Sequence, residues 1–344
     1  MIRFNCDYSE GAHPRIMELL AQTNMEQTAG YGEDPYCIRA AELIRRKCAC
    51  KELGIQFTVG GTQVNSIVIA AALRPHQGAV CADTGHINIH ESGAVEATGH
   101  KVLALPGRNG KITADQIQTA CDEHFKDAAH EHMVQPGMVY LSLSTEMGTI
   151  YSRRELTEIS EVCRRNDVLL YVDGARLGYG LCAEGCDLDL PVLAKLCDAF
   201  TIGGTKVGAL FGEALVLRND ALKKDFRYIL KQRGGMLAKG RLLGIQFLAL
   251  LEEDLYFDIA ARADRQAMQI RRACAEKGWN FLSDSPTNQQ FPILPDMALN
   301  LLKKNYEVSD CGRIDKNHSA VRFCTSWATR DEDVKRLVRN IQTL

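Results

Sequence analysis

Two short segments of this 344-residue chain place groups capable of covalent chemistry at the ends of apolar runs. In Asp198-Ala199-Phe200-Thr201-Ile202-Gly203-Gly204-Thr205-Lys206, an apolar run ends in two glycines, a threonine and one lysine. Earlier, Val168-Leu169-Leu170-Tyr171-Val172 ends in Asp173-Gly174-Ala175-Arg176. A lysine at a strand end directs its ε-amine into the crevice beyond the sheet, where it can form a Schiff base with a carbonyl. A carboxylate at the end of a second strand can keep a pyridine nitrogen protonated. Together they are what a pyridoxal 5'-phosphate (PLP) site requires, so Lys206 and Asp173 are the leading candidates for catalysis and cofactor binding. The hydroxyl of Thr205 suits a phosphate oxygen.

A second motif could receive that phosphate. Phe57-Thr58-Val59-Gly60-Gly61-Thr62-Gln63-Val64-Asn65 reads as strand, glycine turn and helix start. Thr62 is a natural cap, the glycines let the backbone approach an anion, and free N–H groups at a helix start attract one. Gly61, Thr62 and Gln63 are the candidate phosphate residues. The G-x-G-x-x-G fingerprint and the Walker loop are both absent. In Asp83-Thr84-Gly85-His86-Ile87-Asn88-Ile89-His90-Glu91, two histidines lie four apart, a metal-like spacing that needs a helix. Gly85 and the β-branched residues argue against one, so no metal is expected. His86 follows a strand-end loop and its imidazole can stack on an aromatic ring.

These groups need a framework. Strands are expected at Ile55–Val59, Ala79–Ala82, Lys101–Leu105, Met138–Leu143, Val168–Val172, Ala199–Ile202 and Leu210–Leu217. Between them lie helical stretches at Tyr36–Lys47, Gln63–Leu73, Ala114–Ala129, Ser152–Arg165 and Pro191–Leu196. The alternation predicts an α/β domain with a mostly parallel, mixed seven-stranded sheet flanked by helices. Its strands are apolar throughout, as when both faces are covered. Helices are then expected at Asp220–Ile229, Lys239–Glu253 and Ile259–Lys277. A small C-terminal α+β unit follows, with strands near Met297–Leu301 and Ala320–Cys324 and a last helix at Asp331–Leu344. The expected division is a large domain of residues 1–250, including an N-terminal segment, and a small one of residues 251–344.

Composition narrows the classes. A formal net charge of −2 offers no basic field for nucleic acid or an anionic membrane. No apolar run is long enough to span a bilayer, and the first residues lack a signal-peptide core, so a cytoplasmic protein is expected. The 13 cysteines are scattered without a C-x-x-C pair, and read as reduced, small apolar side chains.

The order and spacing of these pieces resemble the threonine aldolase and β-eliminating lyase branch of the fold type I PLP enzymes, the aspartate aminotransferase superfamily. The resemblance is carried by Asp7-Tyr8-Ser9-Glu10-Gly11, Tyr31-Gly32-Glu33-Asp34-Pro35, Gly60 to Asn65, Gly85 to Glu91, Asp173-Gly174-Ala175-Arg176-Leu177 and Gly204-Thr205-Lys206. It implies that Lys206 bonds the cofactor, Asp173 pairs with its ring nitrogen, and His86 stacks on the ring and can move a proton. It also implies that Gly61, Thr62 and Thr205 hold the phosphate, and that Ser9, Arg176 and Arg322 hold the substrate carboxylate. Such enzymes build their sites at subunit interfaces of homodimers or homotetramers. Tyr31 to Pro35 and the Lys231–Lys239 region would then serve a neighbouring subunit.

Two stretches depart from the pattern. Leu141-Ser142-Leu143-Ser144-Thr145-Glu146-Met147-Gly148 lacks a substrate-facing histidine common in this branch, leaving Glu146 as the nearest polar replacement. Gly234-Gly235-Met236-Leu237-Ala238 lacks an arginine, for which Lys231, Arg233 or Lys239 can substitute. The implied reaction is retro-aldol cleavage of a β-hydroxy-α-amino acid to glycine and an aldehyde, with His86, His90 or Glu146 as base. The alternatives are a PLP-dependent β-eliminating lyase, dehydratase or racemase, and a non-catalytic binding protein on the same fold.

Overall fold

The computed structural model describes residues 1–344. From the N-terminus come β1 (Ile2–Arg3), α1 (Pro14–Thr23), α2 (Pro35–Lys47), β2 (Gly54–Thr58), α3 (Gly61–Ala72), β3 (Gln77–Ala82) and α4 (His86–Ile89). Next are β4 (Val102–Leu105), α5 (Ala114–Lys126), β5 (Gln135–Ser142), α6 (Arg153–Arg165), β6 (Leu169–Asp173), α7 (Leu177–Cys182) and α8 (Leu190–Leu196). Then follow β7 (Ala199–Gly203), β8 (Glu213–Leu217), α9 (Asp220–Lys223), α10 (Phe226–Gln232), α11 (Arg241–Leu251) and α12 (Leu255–Glu276). The last part holds β9 (Gln289–Gln290), β10 (Ile293–Pro295), α13 (Asp296–Leu302), β11 (Tyr306–Glu307), β12 (Ser309–Arg313), β13 (His318–Cys324) and α14 (Asp331–Thr343).

Seven strands form one sheet in the order β2-β8-β7-β6-β5-β3-β4. β8 runs antiparallel to β2 and β7, and the other neighbours are parallel. This is the mostly parallel, mixed sheet read from the apolar runs. β7 and β8 are buried at every residue because helices cover both faces. The two faces differ in depth. One packs 48 buried residues, including Val139, Leu141, Leu170, Val172, Phe200 and Ile202, beneath helices such as α6 and α11. The other packs only 19, including Met138, Tyr140, Tyr171 and Leu215, beneath α3 and α10. The thinner side has room for a polar layer at the carboxyl ends of the strands, where open α/β sheets bind ligands.

The C-terminal part has its own antiparallel sheet, β10-β13-β12, with β9 pairing to β13. Its separate core includes Leu294, Val321, Phe323, Val334, Leu337 and, from the other end of the chain, Phe4. β1 pairs with β11 and brings that N-terminal segment across. α12 joins the two parts: its Ile259, Ala260 and Ala263 enter the large core, and Ile270, Ala273 and Cys274 enter the small one.

Three sequence expectations are corrected. Met297–Leu301 is not a strand but part of α13, because Ala298, Leu299 and Leu302 recur at helical spacing and turn inward, leaving Met297 exposed. The single helix expected at Asp220–Ile229 is split into α9 and α10 by Asp225, which adopts φ 58°. Aspartate tolerates that left-handed conformation better than most residues. A short helix, α4, does form from His86 to Ile89. Gly85 lies outside it as the residue before its first turn, so its low helix propensity costs the helix nothing.

Candidate active site

The Asp173 carboxylate ends β6, opposite Ser142 at the end of β5. It is buried, and three donors hold it: Tyr140 OH at 2.6 Å and Asn65 Nδ2 at 2.9 Å on Oδ2, and the Ala175 N–H at 2.8 Å on Oδ1. Asn65 comes from α3. Its amide oxygen accepts from Tyr171 OH at 2.7 Å, which fixes its orientation and aims its NH₂ group at two carboxylates. The second is Oε1 of Glu91, at 2.7 Å. That same oxygen lies 2.7 Å from Nδ1 of His86. One continuous network therefore links His86, Glu91, Asn65, Asp173 and Tyr140. Burial alone would pull the His86 imidazole below its ordinary pKa, but the Glu91 hydrogen bond and the nearby Asp173 charge outweigh it and raise it. With Nδ1 tied to Glu91, Nε2 is the atom left to exchange a proton.

Lys206 lies in the turn after β7 and faces the same cleft as His86, Asp173, Gly61 and Thr62. Its carbonyl accepts from Tyr179 OH at 2.6 Å, pinning the backbone while the ammonium end projects into the cleft. The cleft encloses about 110 Å³, less than the roughly 300–1,000 Å³ of typical small-molecule sites. The first hydrogen-bonded amide at the start of α3 is that of Val64, which donates to the Gly60 carbonyl at 3.1 Å. The N–H groups of Gly61, Thr62 and Gln63 precede it without a capping side chain. A Cβ on Gly60 or Gly61 would meet no atom within 4 Å, so this backbone looks onto open space. A ring-bearing aldehyde phosphate fits this donor set: an amine for the aldehyde, a carboxylate for a ring nitrogen, and a helix N-terminus for the phosphate.

Glu146 belongs to this cleft. Its Oε1 accepts from Ser142 Oγ at 2.5 Å and from the His86 N–H at 3.0 Å. Burial raises its pKa and the Asp173 charge adds to the rise, while the hydrogen bonds from Ser142 and its own backbone and the His86 charge only partly oppose this. His90 lies near His86, with ring centroids 5.6 Å apart and the planes tilted by 55°, but it is exposed; burial of part of its ring and the His86 charge lower its pKa.

Other expected residues lie elsewhere or are already engaged. The Gln63 side chain accepts from the Val59 N–H at 3.3 Å and donates to the Arg233 carbonyl at 3.4 Å, so only its backbone faces the anion position. Thr205 Oγ1 accepts from the Gly212 N–H at 3.0 Å. Arg176 lines the cleft, but Asp7 takes its fork through Nε at 2.7 Å and Nη2 at 3.0 Å. Arg322 is held by Gln289 Oε1 at 3.1 Å, the Asn5 carbonyl at 2.9 Å and Ser309 Oγ at 3.2 Å. Ser9 is exposed, with Oγ 3.1 Å from Cys6 Sγ.

Sequence reasoning gave no role to Tyr140, Asn65, Asp7 or Glu213. Asn65, Asp7 and Glu91 stood in the motifs already noted, each a polar residue at a helix or loop position that the fold turns inward. Glu213 had a stronger signal: a charge opening an otherwise apolar strand.

Residues 6–296 match the profile of the beta-eliminating lyase family. The chain is a member of that family. Low specificity L-threonine aldolase of Pseudomonas aeruginosa is 29% identical over 350 residues, covering 99% of this chain and 97% of that protein. The solved structure of Leishmania major threonine aldolase is 40% identical and superposes with a TM-score of 0.97 over 100% of this chain and 99% of that one. Aspartate aminotransferase of Thermus thermophilus, 15% identical with a TM-score of 0.70 over 99% of this chain and 96% of that one, shares the fold. This family member thus has the fold type I architecture, with its cleft at the carboxyl ends of β5, β6 and β7.

Proposed function

We propose that this protein is a PLP-dependent aldehyde-lyase that cleaves L-threonine, allo-threonine and similar β-hydroxy-α-amino acids to glycine and an aldehyde. One observation carries the reading: Lys206, Asp173 and the open N-terminus of α3 share a single cleft. The similarity to proteins named threonine aldolase over nearly the whole chain supports the substrate class.

Bound PLP would act as the electron sink for a carbanion at the substrate's α-carbon. Lys206 Nζ would hold its aldehyde, the Asp173 carboxylate its ring nitrogen, the Gly61 and Thr62 N–H groups with Thr205 its phosphate, and His86 would lie against the ring. The α-carboxylate would be taken by Arg176 and Arg322, whose orientation selects which α-carbon bond breaks. Arg176 keeps Nη1 for that task while Asp7 holds its Nε and Nη2. Glu146 is the base we favour for the β-hydroxyl proton. Its carboxylate is already oriented by Ser142, and its raised pKa makes it a stronger base than an ordinary carboxylate.

The reading extends to assembly. Tyr31, Arg227, Tyr228, Lys231 and Met236 form an exposed surface cleft, with Tyr228 77% exposed, which suits contact with a second copy in a homodimer or homotetramer. No helix is long and apolar enough to cross a membrane; a cytoplasmic location is part of the proposal.

The deciding assay supplies PLP and offers threonine, allo-threonine and phenylserine in turn. Glycine with the matching aldehyde is the expected product. A keto acid with ammonia would replace this reading by β-elimination.

A further inference from the structure

Glu213 is unusual among the residues around the cleft. It opens β8, whose other residues are Ala214, Leu215, Val216 and Leu217, and only 2% of it is exposed. Its Oε2 is buried and meets no hydrogen-bond partner. A buried carboxyl without a partner costs stability, so it calls for a reason. Its position supplies one. In the sheet it stands opposite Thr58 on one side and Gly203 on the other. Thr58 leads through Val59 and Gly60 into α3, and Gly203 leads through Gly204 and Thr205 to Lys206. Leu215 and Leu217, at alternate positions, pack on the thinner face of the sheet, so Glu213 points to the face that carries Asp173, Tyr171 and Tyr140. Thr58 Oγ1, fully buried at the paired position, is likewise without a partner.

We propose that Glu213 is a positioning residue for Lys206: a buried carboxyl that gains or loses one proton behind the lysine and so sets the pH range over which the Lys206 nitrogen keeps its own. The charges facing it are few. Asp173 on β6 and Lys206 beyond β7 act on it directly, and Tyr171 on β6 and Tyr256 on α12 feel its charge. β2, β7, α3 and the rest of β8 bring no titratable side chain. Burial first, and then repulsion from Asp173, push Glu213 up to about 8, with Lys206 opposing. Below that pH it is a neutral acid and adds no charge beside the lysine. Above it, its negative charge favours a protonated Lys206 nitrogen.

The inference rests on reading Lys206 as the cofactor-bearing lysine, and the test separates the two. Wild-type and E213Q holoenzymes, loaded with PLP, are titrated from about pH 6 to about pH 10 while the cofactor's visible absorbance is recorded. Glutamine preserves the shape and the neutral state but cannot ionise. The expected result is a wild-type midpoint higher than that of E213Q by about half a pH unit or more. Superimposable curves would overturn the role of Glu213. Absence of any visible band in the wild type would overturn the reading of Lys206 instead. The cofactor-free proteins give a second measurement. A carboxyl whose pKa is raised on folding stabilises fully below its unfolded value, and that stability is lost as pH rises towards about 8. The melting temperature of E213Q relative to wild type should therefore climb between about pH 5 and about pH 9, by roughly 5 °C. A constant difference across that range would show that Glu213 does not titrate there and would refute the proposal.

Discussion

The two ends of the cleft are built differently. Around Asp173 the chain closes its own hydrogen bonds. Tyr140, Asn65, Glu91 and His86 form a network in which each member is oriented by the next, and most of it is buried. Around Arg176, which lines the cleft, and Arg322, which does not, the cations are satisfied by groups that a ligand would have to join or displace. Asp7 holds Arg176, and the Asn5 carbonyl, Ser309 and Gln289 hold Arg322. Ser9 stands in solvent. The first end is pre-organised and can act on developing charge without rearranging. The second is held in part by the N-terminal segment, through Asp7 and Asn5, so it depends on how that segment packs. Chemistry and substrate recognition should accordingly respond to mutation in different ways.

The sharpest contrast comes from the pre-organised end. Lys206→Ala should abolish turnover and leave no lysine that borohydride can trap with PLP, with the fold intact by circular dichroism. A mass spectrum showing the label on another lysine would remove the centre of the comparison. Next in size is Glu146→Gln. It leaves the Ser142 contact but no base, and kcat should fall by about 10²-fold or more with little change in KM. The raised carboxyl pKa adds a pH signature. The acid limb of the wild-type profile should lie above the ordinary glutamate range, because Glu146 must lose its proton to act, and the variant's residual activity should lack that limb. An unchanged limb in Glu146→Gln would move the role of base to His86.

The same contrast explains what could be read before folding. Lys206 and Asp173 were legible because each follows an apolar run that can only be a buried strand, and a lone charge there is chemically conspicuous. The seven strands were legible for the same reason. The partners of Asp173 were not. Tyr140 sits mid-strand among apolar residues and Asn65 inside a helix, and only the packing of α3 over β5 and β6 brings their polar tips together. Nothing local marks Asp7 as the partner of a residue 169 positions away. The Met297–Leu301 error has a related cause. A short apolar run has no decisive period of its own, and the tertiary contacts of Leu299 and Leu302 decide it.

At the other end, Asp7→Ala should act through stability first. It leaves the guanidinium of Arg176, whose side chain is 14% exposed, without its carboxylate. Breaking a buried pair in this way costs about 3–5 kcal/mol. Burial works to raise the pKa of Asp7, but the Arg176 pairing wins and holds it below the ordinary carboxylate value. The pair's contribution is thus present above the unfolded pKa and lost as pH falls through the lower folded one. Wild type and Asp7→Ala should therefore converge in urea stability in strong acid and separate towards neutrality. Arg176 also loses its orientation, so KM should rise by a larger factor than kcat falls. A variant as stable as wild type at neutral pH would show that the N-terminal segment does not brace this end.

Ser9→Ala should have the smallest effect, and it bears most directly on whether the cleft is complete within one chain. The hydroxyl is exposed and its neighbour is Cys6 Sγ, so its loss should leave stability within about 0.5 kcal/mol of wild type. If Ser9 reaches the carboxylate only after substrate draws the N-terminal segment inward, KM should rise by about three- to tenfold with kcat nearly unchanged, the signature of one lost neutral hydrogen bond in binding. Steady-state kinetics with threonine at saturating PLP measure it. Unchanged kinetics would mean that Arg176 and Arg322 recognise the carboxylate without Ser9. The segment would then matter through Asp7 alone, as a brace for Arg176 rather than as a wall of the pocket.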